Sequence, residues 1–146
     1  MIGRLLGIDH GLARIGLAVS DALGITATEL RVINRTSKAA DFALLNQIIA
    51  EEGVVAIVVG MPNNEAPEGV HTQADTVRLW IERFKQTTTL PIIEWDEQLS
   101  SIDATEIAKR QGRGVRDAID DLAARVILQS YINAVHDGLA TPPPRT

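Results

Sequence analysis

The sequence contains no cysteine, and this absence excludes three kinds of chemistry. The chain can form no disulfide, cannot bind zinc through thiolates and has no thiol nucleophile. It also lacks a run of the about 18–20 apolar residues that a membrane-spanning helix requires, and its first residues do not resemble a signal peptide. We therefore expect a soluble, cytoplasmic protein with no membrane partner.

Aromatic residues are also scarce, with two tryptophans, two phenylalanines and one tyrosine in the whole chain. Most of them fall at spacings typical of a buried strand or helix face, so the sequence predicts no aromatic surface on which single-stranded bases would stack. Positive charge is in deficit, and the formal net charge of −5 opposes nucleic acid at long range. A local cluster of cations without acids could still bind phosphate, and it consists of Lys109, Arg110, Arg113 and Arg116.

The spacing of apolar residues predicts an α/β domain. Two apolar runs separated by Gly11 predict a hairpin, a weaker third strand follows, and the pattern then changes to the spacing of an amphipathic helix. The predicted strands are 5–8, 14–19, 30–33, 54–59 and 92–95, and the predicted helices are 39–52, 73–85, 100–110 and 117–135. A three-strand meander followed by alternating helices and strands implies a mixed five-stranded sheet flanked by helices.

Chain length predicts one hydrophobic core and one site. We expect a single domain over residues 1–138 and a disordered, proline-rich tail over 139–146, because three consecutive prolines from Pro142 cannot continue a helix.

Carboxylates stand at three points where chemistry is expected. Asp9 ends the apolar first strand, where an unpaired charge is costly to bury. On strand alternation it shares a face with Leu5 and Gly7. The alternative interpretation is an aspartate that only forms the turn into the hairpin.

The second acidic pair, Asp96 and Glu97, follows the fifth strand at the edge where open α/β sheets bind ligands. Adjacent residues face opposite ways, so one of the two is expected to join Asp9, and alternation favours Glu97. Asp96 remains a candidate fourth acid.

The third group of acids opens the last helix. Its apolar stripe is expected to run through Ile119, Ala123, Val126 and Ser130. This stripe would turn Asp117 and Asp121 to solvent and leave Asp120 at the flank of the buried face. Acids in a first helical turn can also simply complement the helix dipole. Together with Asp9 and Glu97, Asp120 would offer the oxygen ligands that Mg²⁺ or Mn²⁺ prefers.

Four segments carry longer motifs, namely 6–21 (LGIDHGLARIGLAVSD), 60–62 (GMP), 95–101 (WDEQLSS) and 119–124 (IDDLAA). In this order they resemble the opening motif, the Gly-Leu-Pro strand end, the Asp-Glu-Arg-Leu-Ser-Thr motif and the last aspartate-bearing helix of the RuvX (YqgF) family of Holliday-junction resolvases. The resemblance extends over nearly the whole chain.

The resemblance implies a ribonuclease H-like fold and a metal-dependent nuclease associated with maturation of the 5′ end of pre-16S rRNA. It implies Asp9, Glu97 and Asp120 as catalytic and metal-binding residues, with Mg²⁺ or Mn²⁺ as cofactor. The expected partner is nucleic acid, as pre-rRNA or as branched DNA, and a ribosomal particle is a further candidate.

One departure from the family pattern is Gln98, where the family usually has arginine. Glutamine cannot bind a phosphate with a charged, bidentate fork, so substrate binding is expected to be weaker. Arg14, just after the hairpin turn, and the cluster at 109–116 are the candidates to replace it. His71, at a helix entrance, is either a proton-transfer group or an ordinary surface histidine.

Three other functions compete with an RNA-processing nuclease. An ATPase of the actin and sugar-kinase superfold has a similar first loop but needs two domains. A catalytically silent module that binds rRNA or a ribosome-assembly protein would explain Gln98. A junction resolvase needs two sites related by a two-fold axis, and the sequence leaves monomer and homodimer open.

Overall fold

The computed structural model describes residues 2–62, 69–96 and 115–144, with side chains from residue 122 onward in the last range. The elements are β1 (Leu5–His10), β2 (Arg14–Ser20), β3 (Ala27–Asn34), α1 (Lys38–Glu52), β4 (Ala56–Met61), α2 (Gln73–Lys85), β5 (Ile92–Asp96) and α3 (Val115–His136). The helix predicted over 100–110 lies outside the described residues. Among the helices of the described ranges, none has both the length and the apolarity that a membrane span requires.

The strands form one five-stranded sheet in the order β3-β2-β1-β4-β5. β1 pairs antiparallel with β2, and β2 pairs antiparallel with β3. β4 runs parallel to β1, and β5 runs parallel to β4. The predicted meander followed by parallel strands is therefore confirmed.

The predicted start of the fourth strand, at Val54, is wrong by two residues. Gly53 ends α1 in the left-handed conformation at φ 68°, and the Val54 amide donates to the Ile49 carbonyl at 3.1 Å. Val54 therefore still belongs to the helix cap. Hydropathy does not detect this cap because Val54 and Val55 are as apolar as the strand that follows.

Other boundaries also differ from the prediction, and the differences in β1 and β3 have one cause. β1 continues to His10, two residues past the predicted end, because Asp9 and His10 both pair with β2. β3 begins at Ala27 rather than at residue 30, because Ala27 and Thr28 pair with Ser20 and Val19. Polar residues within a paired strand explain both differences, since backbone pairing does not require an apolar side chain.

A hydrophobic core lies on each face of the sheet. On one face α1 and α2 cover Leu6, Ile8 and Ile57, together with Phe42 and Trp80 of the two helices. On the other face α3 covers a second cluster, which contains Leu5, Ala18, Ala56, Val58, Ala124, Ile127, Leu128, Tyr131 and Ile132. Successive residues of β1 thus alternate between the two cores, as strand geometry requires.

Gly7 sets the distance between α3 and the sheet. A β-carbon at this position would lie 2.8 Å from the Leu128 Cβ and 3.0 Å from the Ala124 carbonyl oxygen. Glycine is therefore needed here for close approach of the helix, and not for an unusual backbone angle.

The C-terminal segment begins against α3. The Tyr131 hydroxyl donates to the Thr141 carbonyl at 2.7 Å, and residues 141–144 have no regular secondary structure. The domain boundary at residue 138 stays a prediction.

Candidate active site

The carboxyl ends of the three parallel strands meet at one edge of the sheet. Ile8 aligns with Val59, and Val59 aligns with Glu94 of β5. The next step along β4 and β5 pairs Gly60 with Trp95. Asp9 continues β1 by the same step, so it stands at this edge.

Asp9 lies on the face of the sheet that α3 covers, the face shared by Leu5 and Gly7. The positions of Leu5 and Gly7 are those that the alternation argument requires, and the face of Asp9 follows from them by the same rule. Its direct neighbour across β2 is Gly16, and continuing the β1–β4 register by one step sets Gly60 on its other side. Because both neighbours lack a β-carbon, neither β2 nor β4 places a side chain directly beside Asp9.

The residues of strand β5 alternate between the two faces of the sheet. Ile93 and Trp95 pack in the α3-side cluster, and the Trp95 indole N–H donates to the Ser130 hydroxyl at 3.2 Å. Glu94 points to the other face, where its Oε1 lies 3.4 Å from the Arg78 Nε. Asp96 follows this alternation and lines a cavity of about 400 Å³ together with Arg78. Asp96 is therefore on the face opposite to Asp9, and Glu97 lies outside the described residues.

Helix α3 runs so that its first turns approach the edge where Asp9 lies. The Gln129 Oε1 accepts from the Ala27 amide at the start of β3, and Arg125, one turn earlier, pairs with Glu29 farther along that strand at 2.8 Å. Position 120 is one turn before Ala124, and its backbone is helical. The side chain of Asp120 is not among those described.

The apolar stripe predicted for this helix is right at Ala123, which is buried, and wrong at Val126 and Ser130, which are only half-buried. Ile119 lies outside the described side chains. The face against the sheet consists of Ala124, Ile127, Leu128, Tyr131 and Ile132. The reason is that Gly7 lets the helix approach β1 closely, with the Leu128 side chain and the Ala124 carbonyl oxygen nearest to it, and hydropathy does not detect such a fit. Asp117, Asp120 and Asp121 precede Ala124 by seven, four and three residues, and all three spacings return to the same side of a helix. The position of Ala124 therefore gives no reason to choose Asp120 over the other two. The choice of Asp120 therefore depends on the family resemblance.

The predicted nucleic-acid contacts are only partly described. Arg14 opens β2 two residues before Gly16, so it shares the face of Asp9 and is exposed. Lys109, Arg110 and Arg113 lie outside the described residues. Arg116 lies in the first turn of α3, and its side chain is not described.

Asp21, the last residue of the opening motif, has a structural role at the opposite edge of the sheet. Its carboxylate accepts the backbone N–H groups of Ile25 at 2.7 Å and Thr26 at 2.9 Å. These hydrogen bonds from Thr26 and Ile25 hold the pKa of Asp21 below its usual range. The carboxylate thus shapes the turn between β2 and β3.

Sequence reasoning missed a group of basic and imidazole side chains on the face opposite to Asp9. Arg35, Lys38, His71 and Arg83 line one cavity there with His10. The His71 Nε2 is 2.7 Å from the Thr76 hydroxyl, so His71 belongs to this cavity and not to the face of Asp9. No short-range signal marks the group because its members lie far apart in the sequence.

The fold is that of the RuvC-like resolvases. Over 95% of this chain and 99% of the other, the structure matches Thermus thermophilus RuvC in complex with a Holliday junction substrate, with a TM-score of 0.64 and 13% sequence identity. The chain thus has the ribonuclease H-like architecture that its motifs predicted.

Sequence comparison identifies the family. The chain belongs to the RuvX family, whose model is described as Holliday junction resolvase and matches residues 3–134. A protein of Desulforamulus reducens named "Putative pre-16S rRNA nuclease" is 43% identical over 90% of this chain and 97% of its own length. A protein of the same name from Symbiobacterium thermophilum is 42% identical over 90% of this chain and 92% of its own length. The chain is thus a nuclease, an enzyme that hydrolyses phosphodiester bonds.

Proposed function

We propose that this nuclease acts on RNA at the 5′ end of the 16S rRNA precursor, with a divalent metal held by Asp9, Glu97 and Asp120. The observation that carries the proposal is the position of Asp9. It is a carboxylate at the carboxyl edge of the parallel strands, on the α3 face, beside Gly16. The names of the relatives from Desulforamulus reducens and Symbiobacterium thermophilum support the RNA substrate.

Strand and helix periodicity support the other two acids. Ile93 and Trp95 lie on the α3 face, so alternation favours Glu97, the residue that follows the strand, on that face as well. Helix α3 approaches the Asp9 edge with its first turns, and Asp120 precedes the buried Ala124 by one turn. An acid from each of the three elements could therefore converge on one side of the sheet edge.

The donor set suits a hard divalent cation. Carboxylate oxygens are the preferred ligands of Mg²⁺ and Mn²⁺, and the residue paired with Asp9 on β2, Gly16, has no side chain to compete for that position. Among the described side chains, no three acids or histidines lie close enough together to hold a metal. The proposed site therefore includes Glu97 and Asp120, which lie beyond those side chains. When bound, the metal would activate the attacking water and neutralise charge on the phosphate.

The residues of this chain have separate tasks in the proposed reaction. Asp9 would fix the position of the metal relative to β1, because its strand is buried between the two cores. Arg14, on the same face at the same edge, is the candidate to bind a neighbouring phosphate. The cluster formed by Lys109, Arg110, Arg113 and Arg116 would extend this contact along the nucleic-acid backbone.

Junction DNA is the second candidate substrate, and the likeness to RuvC bound to a Holliday junction favours it. Resolution of a junction requires two sites related by a two-fold axis. Trimming of one RNA end requires a single site, so the oligomeric state distinguishes a junction resolvase from an RNA-trimming nuclease. A ribosomal particle is the expected setting of the RNA reaction.

The test compares two substrates under three metal conditions. Purified protein is incubated with structured RNA that mimics the precursor 5′ end and with a four-way DNA junction, in Mg²⁺, Mn²⁺ or EDTA. We expect RNA cleavage with Mg²⁺ or Mn²⁺, none in EDTA, and its loss in Asp9→Asn. Asp137→Asn, at the far end of α3, is the matched control and should cleave like wild type.

Two outcomes would contradict the proposal. Cleavage of the junction alone would make the protein a DNA resolvase. Binding of RNA without cleavage, equal in wild type and Asp9→Asn, would make it a silent rRNA-binding module, the function that Gln98 favours.

A further inference from the structure

A basic cavity of about 250 Å³ lies on the α2 face of the sheet, behind the edge that carries Asp9. His10 follows Asp9 directly in β1, and strand alternation turns the two side chains to opposite faces. One strand thus separates the candidate active site from this cavity.

The charged side chains that line the cavity are all basic or imidazole groups, contributed by Arg35, Lys38, His71 and Arg83. Within the described part of the chain, Lys38 and Arg83 make no ion pair. Other cations of the protein are neutralised; Arg4, Arg78, Lys85 and Arg125 each lie within 4.0 Å of a carboxylate. On a chain of net charge −5, this cavity thus brings together basic side chains, two of which no ion pair neutralises within the described residues.

Arg35 is held in a fixed orientation. Its Nη1 donates to the Gly11 carbonyl at 3.0 Å and to the Leu12 carbonyl at 3.1 Å. The guanidinium is thus tied to the turn between β1 and β2, and its other N–H groups remain available for an anion. A preorganised guanidinium loses little entropy when it binds phosphate.

The floor of the cavity contains two buried nitrogens that lack partners. His10 is 6% exposed and Trp80 2% exposed, with ring centroids 4.8 Å apart. Among the described residues, neither the His10 Nε2 nor the Trp80 Nε1 has a hydrogen-bond partner. Buried polar atoms nearly always have a hydrogen-bond partner, so two such nitrogens at one cavity indicate that a ligand or an ordered water molecule supplies the missing hydrogen bonds.

Electrostatics around His10 keep it neutral. Burial, and then the charge of Arg35, lower the pKa of His10 to about 4, and Lys38 acts in the same direction. Asp41 acts in the opposite direction, but its Oδ1 accepts the Thr36 amide at 3.1 Å and it does not line the cavity. The positive charge of the cavity therefore comes from Arg35, Lys38 and Arg83 at its rim.

We propose that this cavity binds a phosphate group of the nucleic-acid backbone, on the strand that passes the sheet edge next to the Asp9 site. This inference rests on the proposed function, because the phosphate is taken to belong to the nucleic-acid substrate of the nuclease. The chemistry is that of a phosphate ester bound by Arg35, Lys38 and Arg83. The nucleic-acid source is favoured over a free nucleotide because the cavity opens beside the edge where the substrate must pass.

The first test measures binding without cleavage. The dissociation constant of a labelled single-stranded RNA is measured in EDTA at several salt concentrations for wild type, Arg83→Gln and Lys38→Gln. Each variant should bind more weakly, and the slope of log K against log salt should fall by about 0.7 for each lost phosphate contact. Lys85→Gln is the matched control, since it removes one exposed charge from the same turn of α2 outside the cavity, and its slope should stay at the wild-type value.

The second test locates the ligand. In a Trp95→Phe background, Trp80 is the remaining tryptophan of the chain, and its fluorescence should change saturably when RNA binds. Inorganic phosphate and adenosine monophosphate should compete weakly for the same signal. Arg83→Gln should weaken the fluorescence response and Lys85→Gln should not.

The results separate this proposal from the nuclease. Equal salt slopes for Arg83→Gln and Lys85→Gln, or no measurable RNA binding by wild type, would overturn the phosphate site even if RNA is cleaved. Tight binding of adenosine monophosphate with unchanged RNA affinity in Arg83→Gln would also overturn it, in favour of a nucleotide site. A reduced slope in a protein that cuts nothing would support the cavity and contradict the nuclease.

Discussion

Replacing Gly7 with alanine tests whether the contact between α3 and β1 positions the site. The added β-carbon would lie 2.8 Å from the Leu128 Cβ and 3.0 Å from the Ala124 carbonyl oxygen. An ordinary carbon–carbon contact is about 3.8 Å, so α3 must move outward by about 1 Å. The Ala124 oxygen belongs to the helix backbone, and therefore a side-chain rotation cannot relieve the clash.

The expected cost in folding free energy is that of an overpacked core, about 1–3 kcal/mol. For a protein of this size such a loss lowers the melting temperature by about 3–9 °C. The same displacement moves position 120 away from Asp9, and a misplacement of about 1 Å can cost about 100-fold in rate. We therefore expect Gly7→Ala to fold, to melt earlier and to cleave RNA about 100-fold more slowly at a temperature well below its transition.

Denaturant unfolding and initial cleavage rates measure the two effects separately. Gly138→Ala is the control, because its φ of 75° strains an alanine while no atom lies within 4 Å of the added carbon. It should lose about 1 kcal/mol of stability and no activity. A Gly7→Ala protein with the wild-type unfolding midpoint and the wild-type rate would refute the idea that Gly7 positions α3.

Three further perturbations test separate features. Asp9→Asn should lower metal-dependent cleavage by about 1,000-fold, equivalent to about 4 kcal/mol of transition-state stabilisation, and thermal melts should show a folded protein. Burial lowers the pKa of His10 from 6.5 to about 4, so the unfolded chain binds this proton more readily than the folded protein. Neutral His10 therefore contributes to folding stability above pH 6.5, and this stability is lost as the pH falls toward 4. Between these pH values the free energy of unfolding of the wild type, measured by urea titration, should fall by about 3 kcal/mol more than that of His10→Phe. Parallel curves of unfolding free energy against pH for the two proteins would contradict the reasoning. Thr72→Ala removes the capping box of α2, in which Thr72 and Asp75 bond reciprocally at 2.9 and 3.2 Å; it should cost about 1 kcal/mol and leave the cleavage rate unchanged.

Local periodicity was sufficient to predict the sheet and the faces of its strands. Leu5, Gly7 and Asp9 alternate with Leu6 and Ile8, and this alternation alone assigned Asp9 to the face that α3 covers. The signal is strong because both faces of β1 are buried, so a shift by one residue would exchange the two cores.

The face of α3 could not be predicted in the same way. Its buried face is set by close approach of the helix to Gly7, where the Leu128 side chain and the Ala124 carbonyl oxygen are nearest, and both residues lie far from Gly7 in the sequence. Hydropathy favours the large apolar side chains at 119 and 126, but the contact depends on the absence of a side chain at position 7 of the strand. The error matters for function, because the wrong stripe made Asp120 look different from Asp117 and Asp121.

The distribution of charge explains how a protein with a net charge of −5 can act on nucleic acid. Several exposed cations are neutralised within the fold, as Arg78 is by Asp75 and Glu94. Lys38 and Arg83 beside His10 make no ion pair with a described residue, and residues 35, 38 and 83 converge only when α1, α2 and the end of β3 pack on one face. Net charge sums over the whole surface, whereas a phosphate responds to the potential within about a Debye length, roughly 8 Å in physiological salt. A basic cavity on one face of β1 and a metal-binding edge on the other could therefore serve one strand of RNA on a chain that is acidic as a whole.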